Sequence, residues 1–425
     1  MSVIQSIKGM NDILPDTVAV WQRLEDTLKR VFAAYAYREI RLPIMEKTGL
    51  FARSIGEDTD IVGKEMYTFE DRNGESVTLR PEATASCVRA GLEHGLFHNQ
   101  QQRLWYMGPM FRHERPQRGR YRQFHQAGAE AVGWPGPDID AELIALSRRL
   151  WRELEIPMPR LEINSLGEVE SRRRFRASLV EYLEKYRDDL DPDSRRRLDT
   201  NPLRILDSKD QRTREILRDA PELSAYLDNE SAGHFEGLLG LLEDMGIEYE
   251  VSPRLVRGLD YYTRTVFEWV SEGLGAQATV CAGGRYDGLV ELLGGKPTPA
   301  IGFAMGLERL VEAARMELPP DRPDVFVITV GEAAGRRGMV LSEWLRDAGY
   351  RTRLHCGDAG LRNQMRKADR SGARVAAIIG EAESAAHEVT VKSLRANIEQ
   401  FAVKSDGAVR AIEDLLARTG GETDA

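Results

Sequence analysis

The segment FRHERPQRGRYRQFHQAGAE, residues 111–130, holds five arginines, Arg112, Arg115, Arg118, Arg120 and Arg122, between two strand-like runs. Guanidinium groups are planar forks that make paired, charge-assisted hydrogen bonds to phosphate oxygens, so several on one hairpin suit a polyphosphate. Gly119 stands at the expected turn, and Phe124 offers an aromatic face to a purine. Arginine spacing alone favours a solvated basic loop; the flanking strands bring a phosphate site level with it. A second segment, AIGFAMGLERL at 300–310, runs from a glycine-punctuated strand into a helix. Gly302 and Gly306 allow a ligand close to the backbone, although such glycines also serve packing. Arg309, expected in the second turn of that helix, needs an anionic or aromatic partner at an otherwise apolar junction.

Two further segments are polar without naming a chemistry. In RGLDYYTRTVFEW, residues 257–269, strand alternation would put Tyr261 and Tyr262 on opposite faces, with one of them toward a pocket. In CAGGRYDGL, residues 281–289, Gly283–Gly284 reads as a tight turn presenting Arg285 or Tyr286. Buried tyrosines are more often core residues than ligand contacts. In TLRPEATA, residues 78–85, Pro81 ends a strand, and Glu82 and Thr84 follow at a helix entry. That is either an ordinary acidic helix start or a carboxylate placed to receive a cationic amine.

The elements that must position these residues follow from periodicity. Residues 18–36 repeat apolar positions at helical spacing, and Glu39–Ile44 reads as extended. Glu65–Phe69 and Ser76–Arg80 form a hairpin about Asn73–Gly74, and Leu104–Phe111 and Gln123–Val132 form another about the arginine loop. Hairpins imply an antiparallel sheet rather than a doubly wound parallel one. Leu143–Leu154 is an amphipathic helix. Residues 168–245 turn highly charged and helical, as an insertion would, before strand-like sequence resumes at Arg254. After Pro319–Pro320, strands expected at Asp324–Val330, Tyr350–His355 and Ala373–Ile379 alternate with helices, which predicts a small α/β unit with largely parallel pairing. Overall the class is α+β, with domains at 1–167 plus 246–320, 168–245 and 325–425.

Bulk properties bound the partners. Cys87, Cys281 and Cys356 are far apart with no C-x-x-C pair, which predicts no disulfide framework or zinc site and a cytoplasmic setting. No secretory pattern opens the chain and no membrane-length apolar run occurs, so no membrane partner is expected. A net charge of -9 argues against wholesale nucleic-acid binding, but clustered arginines leave an RNA partner open.

Taken together, the four segments resemble those of bacterial-type histidyl-tRNA synthetases, a family of class II aminoacyl-tRNA synthetases. The likeness runs from SIKGMNDILP at residues 6–15 to the C-terminal unit. Residues 20–43, 104–130 and 300–312 resemble the three class II motifs; RGLDYYTRTVFEW and CAGGRYDGL resemble the peptides that mark the histidine enzymes. The resemblance implies a class II antiparallel sheet with flanking helices, a helical insertion and a C-terminal anticodon-binding domain. It implies a homodimer that joins L-histidine to tRNA(His) with ATP and Mg²⁺. For ATP it implies Arg112 at the α-phosphate, Arg309 at the γ-phosphate end and on adenine, Phe124 on the other adenine face, and Arg120 nearby. For histidine it implies Glu82, Thr84 and Gln126 at the α-amino group, Glu130, Tyr262 and Tyr286 at the imidazole, and Arg257 near the carboxylate and α-phosphate. Arg112 and Arg257 would act in catalysis, and Arg115, Gln117 and Arg118 would meet the tRNA acceptor end. The insertion would clasp the acceptor arm, and no editing domain is expected. The basic helix LRNQMRKADR of the last domain carries Arg362, Arg366, Lys367 and Arg370, a run that also suits a solvated face.

Ala83 stands where the R-P-E-x-T-A peptide often has glycine, and Ala127-Gly128-Ala129 precedes Glu130 where bulkier residues are frequent; both bear on pocket shape. A non-catalytic histidine-sensing regulatory subunit of ATP phosphoribosyltransferase would share the fold, but it usually lacks the last domain and degrades these motifs. A class II synthetase for another amino acid lacks the two marker peptides, and a general RNA-binding module would not need an adenylate pocket. Arg257→Ala is expected to impair adenylate formation far more than folding. Near-normal pyrophosphate exchange by the folded variant would overturn that role for Arg257.

Overall fold

The structure is a computed structural model that describes residues 3–56, 59–256, 259, 261–271, 279–314, 322–357 and 359–420. The chain divides into two units, Met1–Glu317 and Leu318–Ala425.

The first unit is built on an eight-stranded sheet. Its spatial order is Arg38–Glu39, Gln102–Phe111, Gln123–Val132, Ala300–Gly306, Thr279–Arg285, Thr263–Val270, Arg160–Ser165 and Glu250–Val251. The six middle strands pair antiparallel throughout, and only the two-residue edge strands pair parallel. The helix Pro15–Ala34 begins on a proline, whose fixed φ and missing N–H cost nothing at a helix start. It buries Trp21, Leu24, Leu28, Val31 and Phe32 as one apolar stripe, and Phe32 stacks on Trp105 with ring centroids 4.9 Å apart. The helix Pro137–Glu153 adds Leu143, Leu146, Leu150 and Trp151 to the same core. Beside this, Met45–Lys47, Ser76–Leu79 and Tyr67–Glu70 form a small sheet. Its hairpin turns at Gly74 (φ +80°), where the Asp71 carboxylate accepts from the amides of Asn73 and Glu75.

The charged stretch 168–245 is helical, with helices at Val169–Glu184, Pro192–Thr200, Gln211–Ile216 and Asn229–Asp244. Asp191, Asp210 and Asp228 cap three of them by accepting from backbone amides. This stretch is not set apart from the core. Leu238 and Leu242 of the last helix pack among the residues of Pro137–Glu153, and Phe175, Leu179 and Leu183 share a second cluster with Tyr261, Tyr262 and Tyr286.

In the second unit the sheet order is Thr352–Leu354, Val325–Thr329, Val375–Ile379, Glu388–Ser393 and Phe401–Lys404. The first three strands are parallel, and the last two are antiparallel additions. The expectation of largely parallel pairing is corrected for this second half. Only a short helix, Glu381–Ala386, separates Ile379 from Glu388, which is less chain than a parallel crossover needs. His387, in the left-handed region at φ +54°, turns the chain straight back.

Candidate active site

The floor of the site is set by strand register. Alternation puts Phe124, Gln126, Gly128 and Glu130 on one face of their strand, and glycine makes room at the last three of these positions. Glu130 lies opposite Gly302, Gln126 opposite Gly306 and Gly108, and Gly128 opposite Tyr106. A Cβ on Gly302 would run into the Glu130 carboxylate, and one on Gly128 would meet the Tyr106 ring. These glycines are required by close approach rather than by turns. Gly302→Ala is therefore expected to destabilise the protein by about 1–3 kcal/mol through overpacking. The carboxylate must also move to admit the methyl group; thermal unfolding checks the loss of stability.

Glu130 is fully buried and forms the centre of a hydroxyl cluster. Its Oε1 accepts from Thr84 Oγ1 at 2.8 Å and Tyr106 OH at 3.0 Å, and its Oε2 accepts from Tyr286 OH at 2.5 Å. Burial pushes its pKa up to about 8, against the opposing pull of the donors from Tyr286, Thr84 and Tyr106. When Glu130 is ionised, three hydrogens point inward to it, so those hydroxyls turn lone pairs toward the cavity.

Glu82 is also buried, and burial raises its pKa although its carboxylate accepts from the amides of Thr84 (2.6 Å) and Ala85 (3.1 Å). It thus satisfies the open start of the helix Thr84–Glu93 as well as facing the cavity. Gln126 Oε1 is buried in the wall with no hydrogen-bond partner among the described residues. A buried amide oxygen left unpaired costs free energy, and an N–H from a ligand would recover it.

Guanidinium groups supply the rest of the wall. Arg112 donates from Nε to the Pro81 carbonyl at 2.9 Å and lies over the Phe124 ring, 5.4 Å from its centroid. Arg309 donates to the carbonyls of Gly119 (3.1 Å) and Thr279 (2.5 Å). Burial lowers its pKa, and the neighbouring charges of Arg120 and Arg112 lower it further. Arg120 pairs with Glu114. Positive groups held this close to one another form a natural anion site.

All of these residues line one cavity of about 300 Å³: Glu82, Thr84, Arg112, Arg120, Phe124, Gln126, Tyr262, Tyr286 and Arg309. Glu130 stands behind that wall and acts through the hydroxyls it holds. Arg115, Gln117 and Arg118 are exposed at the tip of the arginine hairpin, where Gly119 (φ +68°) makes the turn. Arg257 lies outside the described residues.

Three local expectations are corrected. Tyr261 and Tyr262 both line the cavity, because the strand begins only at Thr263 and alternation does not yet apply. Gly283 and Gly284 lie within the strand Thr279–Arg285 instead of in a turn; a Cβ there would meet the carbonyls of Gly302 and Thr265. Of the two residues that follow, Tyr286 lines the cavity, and Arg285 is fully buried and paired with Asp140. Arg309 falls in the first turn of its helix, Leu307–Ala313. Sequence reasoning did not single out Tyr106, Tyr121 or Glu308, which also line the cavity. The only signal for Tyr106 was its place in the strand-like run LWYMGPMF.

A family model described as histidyl-tRNA synthetase matches residues 9–310, and one described as an anticodon binding domain matches residues 324–415. The chain belongs to the histidyl-tRNA synthetase family. It is similar to apo histidyl-tRNA synthetase of S. aureus at 36% identity, covering 97% of this chain and 100% of that one, with a TM-score of 0.80. A Nostoc histidyl-tRNA synthetase shares the fold at 22% identity and a TM-score of 0.66, covering 97% and 100%. So does a Bacillus halodurans protein titled ATP phosphoribosyltransferase regulatory subunit/histidyl-tRNA synthetase, at 21% identity and 0.65, covering 89% and 98%. Membership of this synthetase family makes the protein an aminoacyl-tRNA ligase with a C-terminal anticodon-binding domain. Among the described residues, no helix is long and apolar enough to cross a membrane.

Proposed function

We propose that this histidyl-tRNA synthetase family member activates L-histidine with ATP and transfers it to the 3′ end of tRNA(His). The observation that carries the reading is one cavity lined by two opposite chemistries. Arg112, Arg120 and Arg309 with Phe124 suit a nucleoside triphosphate, and the Glu130-held hydroxyls with Glu82 and Gln126 suit a small molecule rich in N–H donors.

In the first step a histidine carboxylate oxygen bonds to the α-phosphorus of ATP, and the bond to the bridging oxygen breaks to release pyrophosphate. In the second, a terminal ribose hydroxyl bonds to the acyl carbon, AMP departs, and the hydroxyl proton leaves to phosphate or water. Neither step requires a nucleophile from the protein; both need placement and neutralisation of accumulating negative charge, which fixed guanidinium groups supply. Arg112 serves the α-phosphate, while Arg309 serves the far phosphate and adenine, with Phe124 on the opposite adenine face. Mg²⁺ belongs to the ATP substrate: among the described residues no group of three or more His, Cys, Asp and Glu is placed to hold a metal ion. A neutral imidazole presents one donor and one acceptor, so an apolar rival would leave the buried hydroxyl cluster unpaired. Discrimination of about 10⁴ follows without editing.

The same reading assigns Arg115, Gln117 and Arg118 to the acceptor end of tRNA. The exposed face of the helix Leu361–Arg370, with Arg362, Arg366, Lys367 and Arg370, is assigned to the anticodon arm. Exposed Ile44, Met45 and Phe69, at the small sheet, suit a homodimer contact in a cytoplasmic enzyme.

ATP–pyrophosphate exchange, run with each amino acid in turn, tests the reading. Exchange dependent on histidine alone supports it. Exchange with another amino acid overturns the account of the pocket. No exchange, with histidine binding intact, replaces it with a regulatory role.

A further inference from the structure

The opening motif KGMND takes no part in the chemistry above, yet one of its residues touches the arginine hairpin. Residues 3–8 and 11–14 are exposed, and Gly9 between them is buried. The Gly9 carbonyl accepts from two consecutive hairpin amides, Arg122 N at 2.7 Å and Gln123 N at 3.1 Å. Arg122 in turn accepts through its carbonyl from the amide of Arg112 at 2.9 Å. Gly9 therefore adds a rung beside Arg122 and Arg112, at the place where the chain leaves the sheet and enters the loop.

Space and backbone both require glycine there. Gly9 has φ +86°, and a Cβ would stand 2.8 Å from Pro116 Cγ and 3.1 Å from Arg122 Cγ. Pro116 lies in the loop, so the approach is to the loop as well as to its base. The loop itself has little regular pairing: one isolated bridge joins Gln117 and Arg120. Side-chain ties such as Arg122 Nε to the Glu114 carbonyl at 3.3 Å add to this, and other segments hold it at His113 N (to the Glu65 carbonyl, 2.6 Å) and at the Gly119 carbonyl (from Arg309 Nε, 3.1 Å). A long loop with one backbone bridge of its own loses much conformational freedom on ordering, and a rung from Gly9 at its root lowers the further cost of fixing Arg112 and Phe124.

We propose that Gly9 is a positioning residue for the nucleotide half of the site: the N-terminal segment straps the root of the arginine hairpin and holds Arg112 and Phe124 ready for ATP. This rests on the ATP reading of the cavity. Histidine binding, whose hydroxyl cluster is built on Glu130, does not depend on the strap.

Gly9→Ala keeps the chain intact while introducing a side chain at a left-handed φ and against Pro116. In pyrophosphate exchange the expected result is a rise in the KM for ATP of about tenfold, with the KM for histidine within twofold and the thermal midpoint unchanged. Trypsin supplies a second readout, because Arg118, Arg120 and Arg122 are its sites in the loop, Arg115 being shielded by the proline that follows it. The variant without ligand should be nicked at the hairpin several-fold faster than the wild type. An ATP KM within twofold of wild type with unchanged nicking overturns the proposal. So does a parallel loss in both substrates with a lowered thermal midpoint, which would make Gly9 a general structural residue. If the wild type shows no exchange, the functional reading has failed by itself, and the nicking rates alone decide the strap: faster cleavage in Gly9→Ala upholds it and equal cleavage overturns it.

Discussion

Glu130→Gln is expected to yield a folded protein whose kcat/KM for histidine in pyrophosphate exchange is about 10²-fold below wild type, because buried polar groups are then mispaired. The size of the side chain hardly changes, so the effect comes from polarity. In its ionised form Glu130 receives hydrogens from Thr84, Tyr106 and Tyr286, and the cavity sees three lone pairs. Glutamine must donate to at least one of those oxygens. That hydroxyl then turns its own hydrogen toward the ligand, where it opposes an N–H of histidine.

The pH dependence separates this from a simple packing defect. With a pKa of about 8, the ligand-free carboxyl is mostly protonated at neutral pH. A protonated carboxyl also donates to one hydroxyl, but it can release that proton when a donor-rich ligand arrives, and glutamine cannot. On the proposed function, histidine binding is expected to be linked to proton release from Glu130. The sign follows: affinity rises as pH rises toward 8 and levels off above it. The wild-type profile should show this limb and Glu130→Gln should lack it. Exchange within threefold of wild type, together with an unchanged pH profile, would refute the polarity account.

How much of this was legible in the sequence depended on the range of the interaction that decides each feature. Periodicity is local, so the helix at Pro15–Ala34 and the strand Gln123–Val132 could be read directly, as could the hairpin at Asn73–Gly74. Glu82, Thr84 and Arg309 could be marked because charged or polar groups at helix entries need partners, and Arg112 because it stands among five arginines between two strands. What the sequence hid was the partner. The sequence could not choose between Arg285 and Tyr286 as the residue presented to a pocket, because the acceptor of Arg285, Asp140, lies 145 residues away. Gly302 read as room for a ligand or as a packing glycine, and its reason is the carboxylate of Glu130 on the neighbouring strand. The antiparallel end of the second unit was missed because its strands, EVTVKS and FAVK, are short and half-exposed. The insertion read as separate from its charge density, but Leu238 and Leu242 bind its last helix to the main core.

The buried pair of Arg285 and Asp140 carries the largest predicted effect on stability. Arg285 Nη1 donates to Asp140 Oδ1 at 2.5 Å, with both side chains fully buried. The guanidinium also donates to the carbonyls of Trp134 (2.7 Å) and Gly136 (3.2 Å) and pairs with Asp287. Burial by itself would lower its pKa; the charges of Asp140 and Asp287 outweigh that and raise it. The other oxygen of Asp140 meets His234 Nε2 at 2.8 Å, so one carboxylate joins the helices Pro137–Glu153 and Asn229–Asp244 to the strand that ends at Arg285. Asp140→Ala leaves a buried arginine undercompensated and a buried imidazole without its acceptor, and should destabilise the first unit by about 3–5 kcal/mol. Removing both charges is a different matter, because the remaining partner's desolvation cost disappears along with the attraction. Asp140→Leu combined with Arg285→Met should therefore be more stable than Asp140→Leu alone, although it deletes more hydrogen bonds. Denaturant unfolding followed by Trp151 and Trp269 fluorescence reports on this unit, since both indoles lie in its core. A double variant that loses the full sum of the two single losses would show that the charges do not act as a coupled pair. The adjacent Tyr286 gives the functional echo: in Asp140→Ala the KM for histidine should rise more than the KM for ATP, because Tyr286 holds the Glu130 cluster while Arg112 and Arg309 are anchored elsewhere.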